Sequence, residues 1–198
     1  MKSNRLTAAL AFLMCLGNLS IADEIKGRVA SVADGDTITV VDDKKQKHII
    51  RMQGIDAPEK SQEGGMAAKK QLTGIVSGKN VTVTTSGKDK YGREIGKVTR
   101  DGADVNREMV KTGNAWHYKK YQKQQSKKDR SAYAQAEKQA RAGGAGVWSK
   151  STPEAPWDYR HSGHAKSSAT GCTASAPCTG KRGGRYYITS GGKKRYKK

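Results

Sequence analysis

Alternation between apolar and polar residues dominates the chain from residue 24 to residue 55. The stretch Glu24–Val32 alternates and predicts a first strand, and the β-branched run Thr37–Val41 predicts a second. A third strand is predicted from Lys47 to Ile55. Polar turns, Asp34-Gly35 and Asp42 to Lys45, separate these runs. Short turns between consecutive strands predict an antiparallel meander.

The apolar residues then recur at helical spacing. Met66, Leu72, Ile75 and Val76 predict a helix that ends at Gly78. The later elements are predicted, in chain order, as strands at Asn80–Thr85 and Glu94–Thr99, a short helix at Val105–Lys111, a helix from the capping residue Ser126 to about Ala142, and a core contact at Val147–Trp148. The predicted fold class is α+β but mainly β: a five-stranded OB-fold barrel with about three helices and a flexible basic C-terminal tail.

Residues 1–22 have the pattern of a secretory signal peptide. Lys2 and Arg5 precede the apolar stretch Leu6–Leu16, and Ser20-Ile21-Ala22 provides a small-x-Ala cleavage site. The alternative is an uncleaved anchor, which the shortness of the apolar stretch disfavours because a spanning helix needs roughly 20 apolar residues. We therefore expect a mature chain that is secreted or periplasmic and has no transmembrane segment.

Residues 23–150 are expected to form the folded domain, residues 151–180 a linker, and residues 181–198 a basic tail. Two prolines between Ser149 and Trp157, and the small polar residues that follow, favour a linker. The final segment is either a small hairpin, which we favour, or a disordered basic arm. Cationic residues in either form would add attraction for nucleic acid.

Cys172 and Cys178 are the cysteines that remain after removal of the predicted signal peptide. An even pair of cysteines in an exported protein implies a disulfide. The alternative is a metal site that also uses His161 and His164. Zinc sites usually contain a closer Cys-x-x-Cys pair, so the disulfide is favoured.

The charge balance indicates a polyanionic partner. Lysine and arginine total 38 against 18 acidic residues, which gives a formal net charge of +20. DNA, RNA or an anionic surface would be attracted to such a chain. The stretch from Trp116 to Tyr121 mixes aromatic and cationic residues, which suits base stacking beside phosphate contacts, although burial of the aromatic residues against the core is an equal alternative.

Acidic and cationic residues are concentrated on three separate turns. Arg51, Asp56 and Glu59 lie within nine residues, with Pro58 between the two acids. Proline stiffens the turn and ends the strand, so the carboxylates are held close together. Asp36 is a third acid at a strand start, and the Lys88–Arg93 turn supplies cations and an aromatic residue. Acids that bind a hard cation, with cations that bind phosphate, indicate phosphodiester chemistry.

Four motifs, ADGDTITV, IIRMQGIDAPE, DKYGREIG and the later GVW, resemble the thermonuclease, or staphylococcal-nuclease-like, family between Glu24 and Trp148. The resemblance implies a nuclease that depends on calcium and cleaves DNA and RNA without strong sequence specificity, leaving 3′-phosphates. Its implied residue roles are calcium binding by the carboxylates of Asp36 and Asp56 and the backbone carbonyl of Ala57, activation of water by Glu59, contact with the scissile phosphate by Arg51 and Arg93, contact with a neighbouring phosphate by Lys90 and Tyr91, and nucleotide binding by Tyr118 and Tyr121.

Two alternatives of a different kind remain. The barrel could be a non-catalytic nucleic-acid-binding module, because OB folds often only bind. Such a module is expected to have lost acids or arginines from the site, whereas Asp36, Arg51, Asp56, Glu59 and Arg93 are all present. The tail could instead bind an anionic polymer of the cell envelope. The sequence implies no stable protein partner, and we expect a monomer.

Overall fold

Five strands form a closed barrel in the computed structural model, which describes residues 23–162, 178–179, 185–188 and 194–196. The strands are β1 (Glu24–Val32), β2 (Thr37–Asp42), β3 (Lys47–Met52), β5 (Asn80–Lys88) and β6 (Glu94–Arg100), with the two-residue β4 (Ile55–Asp56) inserted after β3. Their order is β3-β2-β1-β5-β6, and a parallel pairing of β3 with β6 closes the barrel. The other pairings are antiparallel. The predicted meander and OB-type barrel are therefore confirmed.

The barrel interior is filled by the apolar residues of the alternating pattern. Fully buried strand residues include Val29, Ile38, Val40, Ile50, Met52, Val83 and Val98. Burial of each such side chain stabilises the fold by roughly 1.5–3 kcal/mol. The helix α1 (Gly65–Val76) packs Ala68, Leu72 and Val76 into the same core. The predicted helical spacing therefore identified the buried face of α1, although Met66 is exposed.

Three further helices follow the last barrel strand. They are α2 (Val105–Lys111), α3 (Lys127–Ala142) and α4 (Pro156–His161), and short 3-10 helices lie at Lys119–Gln124 and Gly146–Ser149. The two-residue strands β7 (Ala103–Asp104) and β8 (Trp116–His117) lie before and after α2. The hydroxyl of Ser126 accepts a hydrogen bond from the backbone N–H of Asp129 at 3.0 Å, as the predicted cap of α3 requires.

The predicted third strand is interrupted at residues 53–54. Strand β3 ends at Met52, and Gly54 has a left-handed φ of 74° before β4 begins. Strand β4 then pairs with β8 rather than with β2, so that Asp56 lies opposite Trp116. The interruption lies where glycine permits a turn that other residues disfavour. The change of partner places Asp56 beside β8, while its carboxylate stays 2.8 Å from Arg51 of β3.

The C-terminal part of the chain departs from the predicted linker at α4. Ala155, Pro156 and Tyr159 are buried, and the Tyr159 hydroxyl donates to the Ser61 hydroxyl at 3.0 Å. Residues 155–159 therefore pack on the folded domain. Among the described residues, no helix is long and apolar enough to cross a membrane.

The described tail residues form three short strands. Strands β9 (Cys178–Thr179), β10 (Arg185–Ile188) and β11 (Lys194–Tyr196) make a sheet in which β10 pairs antiparallel with both neighbours. Of the two alternatives for the final segment, the small hairpin corresponds to the antiparallel pair of β10 and β11. Cys178 is disulfide-bonded, so its sulfur is not a free thiolate for zinc. The predicted partner Cys172, the proposed zinc ligand His164 and the predicted signal peptide lie outside the described residues.

Candidate active site

Asp36 is placed by the tight turn between β1 and β2. The Asp34 carboxylate accepts a hydrogen bond from the Asp36 N–H at 3.1 Å, which holds the turn. Gly35 lies against the loop after β4: a Cβ atom at this position would be 2.6 Å from the Cβ of Ala57 and 2.7 Å from the Cβ of Ala68. Glycine is therefore required for the turn to approach Ala57 this closely.

Arg51 joins the two predicted metal-binding carboxylates. Its Nη2 lies 3.1 Å from Oδ2 of Asp36 and 2.8 Å from Oδ1 of Asp56. Its Nη1 donates to the carbonyl oxygens of Met52 and Ile55, each at 3.0 Å. The backbone N–H of Ala57 donates to Oδ2 of Asp36 at 2.8 Å. The structure therefore brings Asp36, Arg51, Asp56 and Ala57 together, as the sequence predicts.

Asp36 and Asp56 are carboxylates in a poorly hydrated environment. Their exposed fractions are 6% and 1%. Burial raises the pKa of Asp36 to about 7, Arg51 opposes the rise, and the charges of Asp34 and Asp56 add to it. The Asp36 carboxylate is therefore disfavoured as an anion where it lies, and a nearby cation would favour its ionised form.

Glu59 lies on the loop between β4 and α1 and contacts an arginine from α4. Nη1 of Arg160 is 2.8 Å from Oε1 of Glu59, and Nη2 of Arg160 is 2.6 Å from Oδ2 of Asp56. Nη1 also reaches Oδ1 of Asp56 at 3.3 Å. Arg160 therefore connects the predicted water-activating acid with a predicted metal ligand.

Arg93 comes from the turn between β5 and β6. Its Nε is 2.7 Å from Oδ2 of Asp89, and its guanidinium lies 5.6 Å from the ring centre of Tyr91. Desolvation acts to raise the pKa of Asp89, but hydrogen bonds from the Arg93 side chain and from backbone N–H groups outweigh it and lower the pKa. The ammonium of Lys90 is 5.0 Å from the same ring. The turn thus places two cationic side chains beside one exposed aromatic ring.

The aromatic stretch at residues 116–121 divides between the core and the cleft. Trp116 and His117 are buried in β8, and burial lowers the pKa of His117. Tyr121 is half exposed, and its ring centre lies 5.7 Å from that of Tyr118. Tyr118 in turn lies 5.5 Å from Trp157 of α4. Burial against the core therefore describes Trp116 and His117, whereas a position at the cleft describes Tyr118 and Tyr121.

One cleft of about 630 Å³ contains these groups. Its lining includes every side chain predicted for the site: Asp36, Arg51, Asp56, Ala57, Glu59, Lys90, Tyr91, Arg93, Tyr118 and Tyr121. A larger and more open groove of about 1290 Å³ lies on the outer surface of β1 and the β2–β3 turn and contains none of them. Convergence of acids, arginines and tyrosines makes the smaller cleft the candidate active site.

The donor atoms suit an oxygen-ligated cation, although they are not arranged as a finished metal site. Over residues 23–162 and the described tail strands, no group of three His, Cys, Asp or Glu side chains is positioned to hold an ion. The carboxylates of Asp36 and Asp56 instead share Arg51, and Asp56 also binds Arg160. Carboxylate and carbonyl oxygens are the ligands that calcium prefers, so Asp36, Asp56 and Ala57 could hold this ion if a guanidinium moved aside.

Arg160 and Asp89 line the cleft, although no sequence pattern identifies them as site residues. Asp89 lies inside a quoted motif, but its pairing with Arg93 has no local sequence signal beyond the spacing of four residues. Arg160 is more than 100 residues from Asp56 in the chain. A helix at this point could have been predicted, because Pro156 occupies its first turn and Asp158 follows.

The chain is similar to several known proteins. Residues 49–150 match the family described as "Staphylococcal nuclease homologue". An "Uncharacterized endonuclease" of Escherichia coli O157:H7 is 41% identical over 139 residues, covering 70% of this chain and 86% of that protein. A second "Uncharacterized endonuclease", from Haemophilus influenzae, is 36% identical over 159 residues, covering 79% and 86% respectively. The "Probable staphylococcal-like nuclease CAN2" of Oryza sativa is 34% identical over 142 residues, covering 72% of this chain and 35% of that protein.

Proposed function

Because the chain belongs to the staphylococcal nuclease family and is therefore a nuclease, we propose that it hydrolyses phosphodiester bonds of DNA and RNA with calcium as cofactor. The observation that carries the proposal is the convergence of Asp36 and Asp56 on Nη2 of Arg51, at 3.1 and 2.8 Å, in a cleft that also contains Glu59 and Arg93. We further propose 3′-phosphate products, which the family resemblance implies.

The arginines would bind the phosphate that reacts. Negative charge grows on the phosphate oxygens in the transition state, and a planar guanidinium can donate to two of these oxygens at once. Arg51 is partly buried, with a side-chain exposure of 17%, so little reorganisation is needed to hold it in the site. Arg93 is more exposed at 30% and directly precedes β6, which pairs with the strand that carries Arg51. The two residues would therefore contact one phosphate from neighbouring strands.

Glu59 would accept the proton of the attacking water. Its side chain is 37% exposed and opens to the cleft, so water can reach it. A carboxylate acts as a general base when it lies within hydrogen-bond distance of the water that it activates. A calcium ion bound by Asp36 and Asp56 would supply further electrostatic stabilisation of the phosphate.

The remaining basic residues would raise the local concentration of substrate without reading its sequence. Phosphate contacts are independent of base identity, which fits a nuclease of low sequence specificity. Tyr121 and Tyr91 are exposed rings beside cations and offer surfaces for base stacking. We also propose export, to the periplasm or beyond, supported by the residue pattern at positions 1–22.

The proposal is tested with purified protein on labelled single-stranded DNA and RNA, in calcium and in chelator, followed by analysis of the product ends. We expect cleavage of both substrates in calcium and 3′-phosphate ends. Arg51→Lys should lower the rate by about 100- to 1,000-fold, the usual cost of removing one such donor. Arg141→Lys is the matched control, because Arg141 stacks on Trp148 outside the cleft. Binding without cleavage under every metal condition would contradict the calcium-dependent reaction.

A further inference from the structure

Arg160 occupies a position that the proposed reaction has not yet explained. Its guanidinium binds both oxygens of the Asp56 carboxylate, at 3.3 and 2.6 Å, and one oxygen of Glu59 at 2.8 Å. Bidentate pairing of this kind is geometrically specific and stronger than a single contact. Asp56 is thereby held between two arginines, Arg51 on one side and Arg160 on the other.

The helix that carries Arg160 is fixed to the loop that carries Glu59. Besides the Tyr159–Ser61 hydrogen bond, the Gln62 side chain donates to the carbonyl oxygen of Glu154 at 2.8 Å. The oxygen of the same Gln62 side chain accepts from the backbone N–H of Glu59 at 3.1 Å. Gln62 and Tyr159 are 6% and 8% exposed, so these contacts are shielded from water. Placement of Arg160 is therefore built into the fold.

The two arginines on Asp56 differ in how easily they could leave it. Arg51 has an exposure of 17% and is additionally anchored to two backbone carbonyls. Arg160 has an exposure of 36%, and within the described residues the hydrogen bonds of its side chain go to the carboxylates of Asp56 and Glu59 and to no backbone carbonyl. A cation that binds Asp56 must compete with one of them, and Arg160 has fewer contacts to lose.

We propose that Arg160 is a third arginine of the nuclease site: it positions Glu59, and its guanidinium occupies the cation side of Asp56 until a divalent ion binds. The inference rests on the proposed function. Arg160 is a positioning residue here, because it acts through Glu59. It has two effects of opposite sign, since it weakens metal binding by competition and increases turnover by holding the base.

The test measures calcium binding by titration calorimetry, without substrate, and cleavage kinetics on single-stranded DNA. Arg160→Ala should bind calcium about two- to fivefold more tightly, the usual range for losing a partly exposed competing ion pair. Its kcat should fall about 10- to 100-fold, since the base is no longer held. Free guanidinium added to Arg160→Ala should restore part of the kcat. If Arg160 had only a structural role, Arg160→Ala would weaken both calcium binding and activity.

Two further variants keep the test independent of folding defects. Arg160→Lys retains a cation but cannot bridge both carboxylates, so calcium affinity should stay near wild type while kcat falls. Lys150→Ala is the matched control, because Lys150 lies in the same C-terminal segment and pairs with Glu63 outside the cleft. It should change neither quantity.

An unchanged kcat in Arg160→Ala, or a calcium affinity that is unchanged or weaker, would overturn the inference. Failure of the proposed function would look different. It would appear in the wild-type protein, as absence of calcium-dependent cleavage, rather than as a difference between wild type and variants. Calcium titration of the metal-binding step reports on the competition even if the substrate class has been misassigned.

Discussion

Asp36 shows at the scale of one residue how burial and neighbouring acids disfavour an ionised carboxylate. The carboxylate is buried beside two other acids, so the folded protein holds its proton more tightly than the unfolded chain does. Arg51 offsets part of this cost through a 3.1 Å ion pair. The residue is thus poorly accommodated as an anion in the metal-free protein, and a bound cation would relieve the imbalance.

The raised pKa of Asp36 predicts how metal-free stability depends on pH. The ordinary pKa is 3.8 and the folded value is about 7, so the folded state binds more protons between these values. Stability from this residue is therefore fully present below pH 4 and lost as pH rises through 7. Between pH 5 and pH 8 the free energy of unfolding should fall by about 2 kcal/mol more in wild type than in Asp36→Asn.

Urea unfolding in chelator at several pH values measures this difference. Asp43→Asn on the exposed β2–β3 turn is the control, and its stability should follow wild type across the range. Parallel pH profiles for wild type and Asp36→Asn would show that Asp36 titrates normally.

The positions of Asp36, Arg51, Asp56 and Glu59 relative to the nearest strand ends and turns could be predicted from the sequence. Turn residues and strand-ending residues are recognisable in the local pattern. It did not allow prediction of their partners. Arg160 reaches Asp56 across 104 residues, and Asp89 pairs with Arg93 through a turn conformation that no periodicity encodes. Contacts between distant segments depend on packing, and local patterns contain little information about packing.

At the scale of elements, the site depends on turns that only small residues permit. Gly35 allows the β1–β2 turn to contact Ala57 and Ala68, and the left-handed Gly54 ends β3 so that β4 can pair with β8. The alternating pattern predicted one strand as far as Ile55, because periodicity does not reveal where a strand changes partner. Elements whose apolar spacing is regular, such as β1 and α1, were predicted more closely.

A pair of glycine substitutions tests this dependence. Gly35→Ala would place its Cβ 2.6 Å from that of Ala57, so the turn that holds Asp36 must move. We expect a loss of about 1–3 kcal/mol of stability, the usual cost of overpacking, together with lower activity. Gly74→Ala in α1 meets no atom within 4 Å and should stabilise by about 0.5–1 kcal/mol without changing activity.

Thermal unfolding and cleavage of single-stranded DNA measure the two effects. If Gly35→Ala were as stable and as active as wild type, close contact between the β1–β2 turn and the β4 loop would not be needed to place Asp36.

At the scale of the whole molecule, charge and site have separate roles. The formal net charge of +20 is spread well beyond the cleft, and the chain after Asp158 contains no acidic residue. Such charge attracts nucleic acid by releasing counterions and is screened by salt, whereas the proposed chemistry depends on a few residues in the cleft. The barrel could be predicted from the pattern of strands, but the docking of α4 could not, because prolines and polar residues around it resemble those of a linker.

Neutralising the tail should therefore change substrate binding and leave the chemical step intact. Replacing the lysines and arginines of residues 181–198 by glutamine in the full chain should raise KM at moderate salt and reduce its salt dependence, with kcat within about twofold. A matched variant in which the lysines of this segment become arginines keeps the charge and should behave as wild type. A large fall in kcat at saturating substrate would instead place the tail in the reaction.

The central claim is that Asp36, Asp56 and Arg51 form the reaction centre of a calcium-dependent nuclease. The most direct test compares cleavage of labelled single-stranded DNA by wild type, Asp56→Asn and the exposed control Asp43→Asn, each across a calcium titration. We expect the cleavage rates of wild type and Asp43→Asn to depend on calcium in the same way and to fall to zero in chelator. The cleavage rate of Asp56→Asn should be lower by at least about 100-fold. A cleavage rate for Asp56→Asn equal to that of wild type, or a wild-type rate that does not depend on calcium, would contradict the claim.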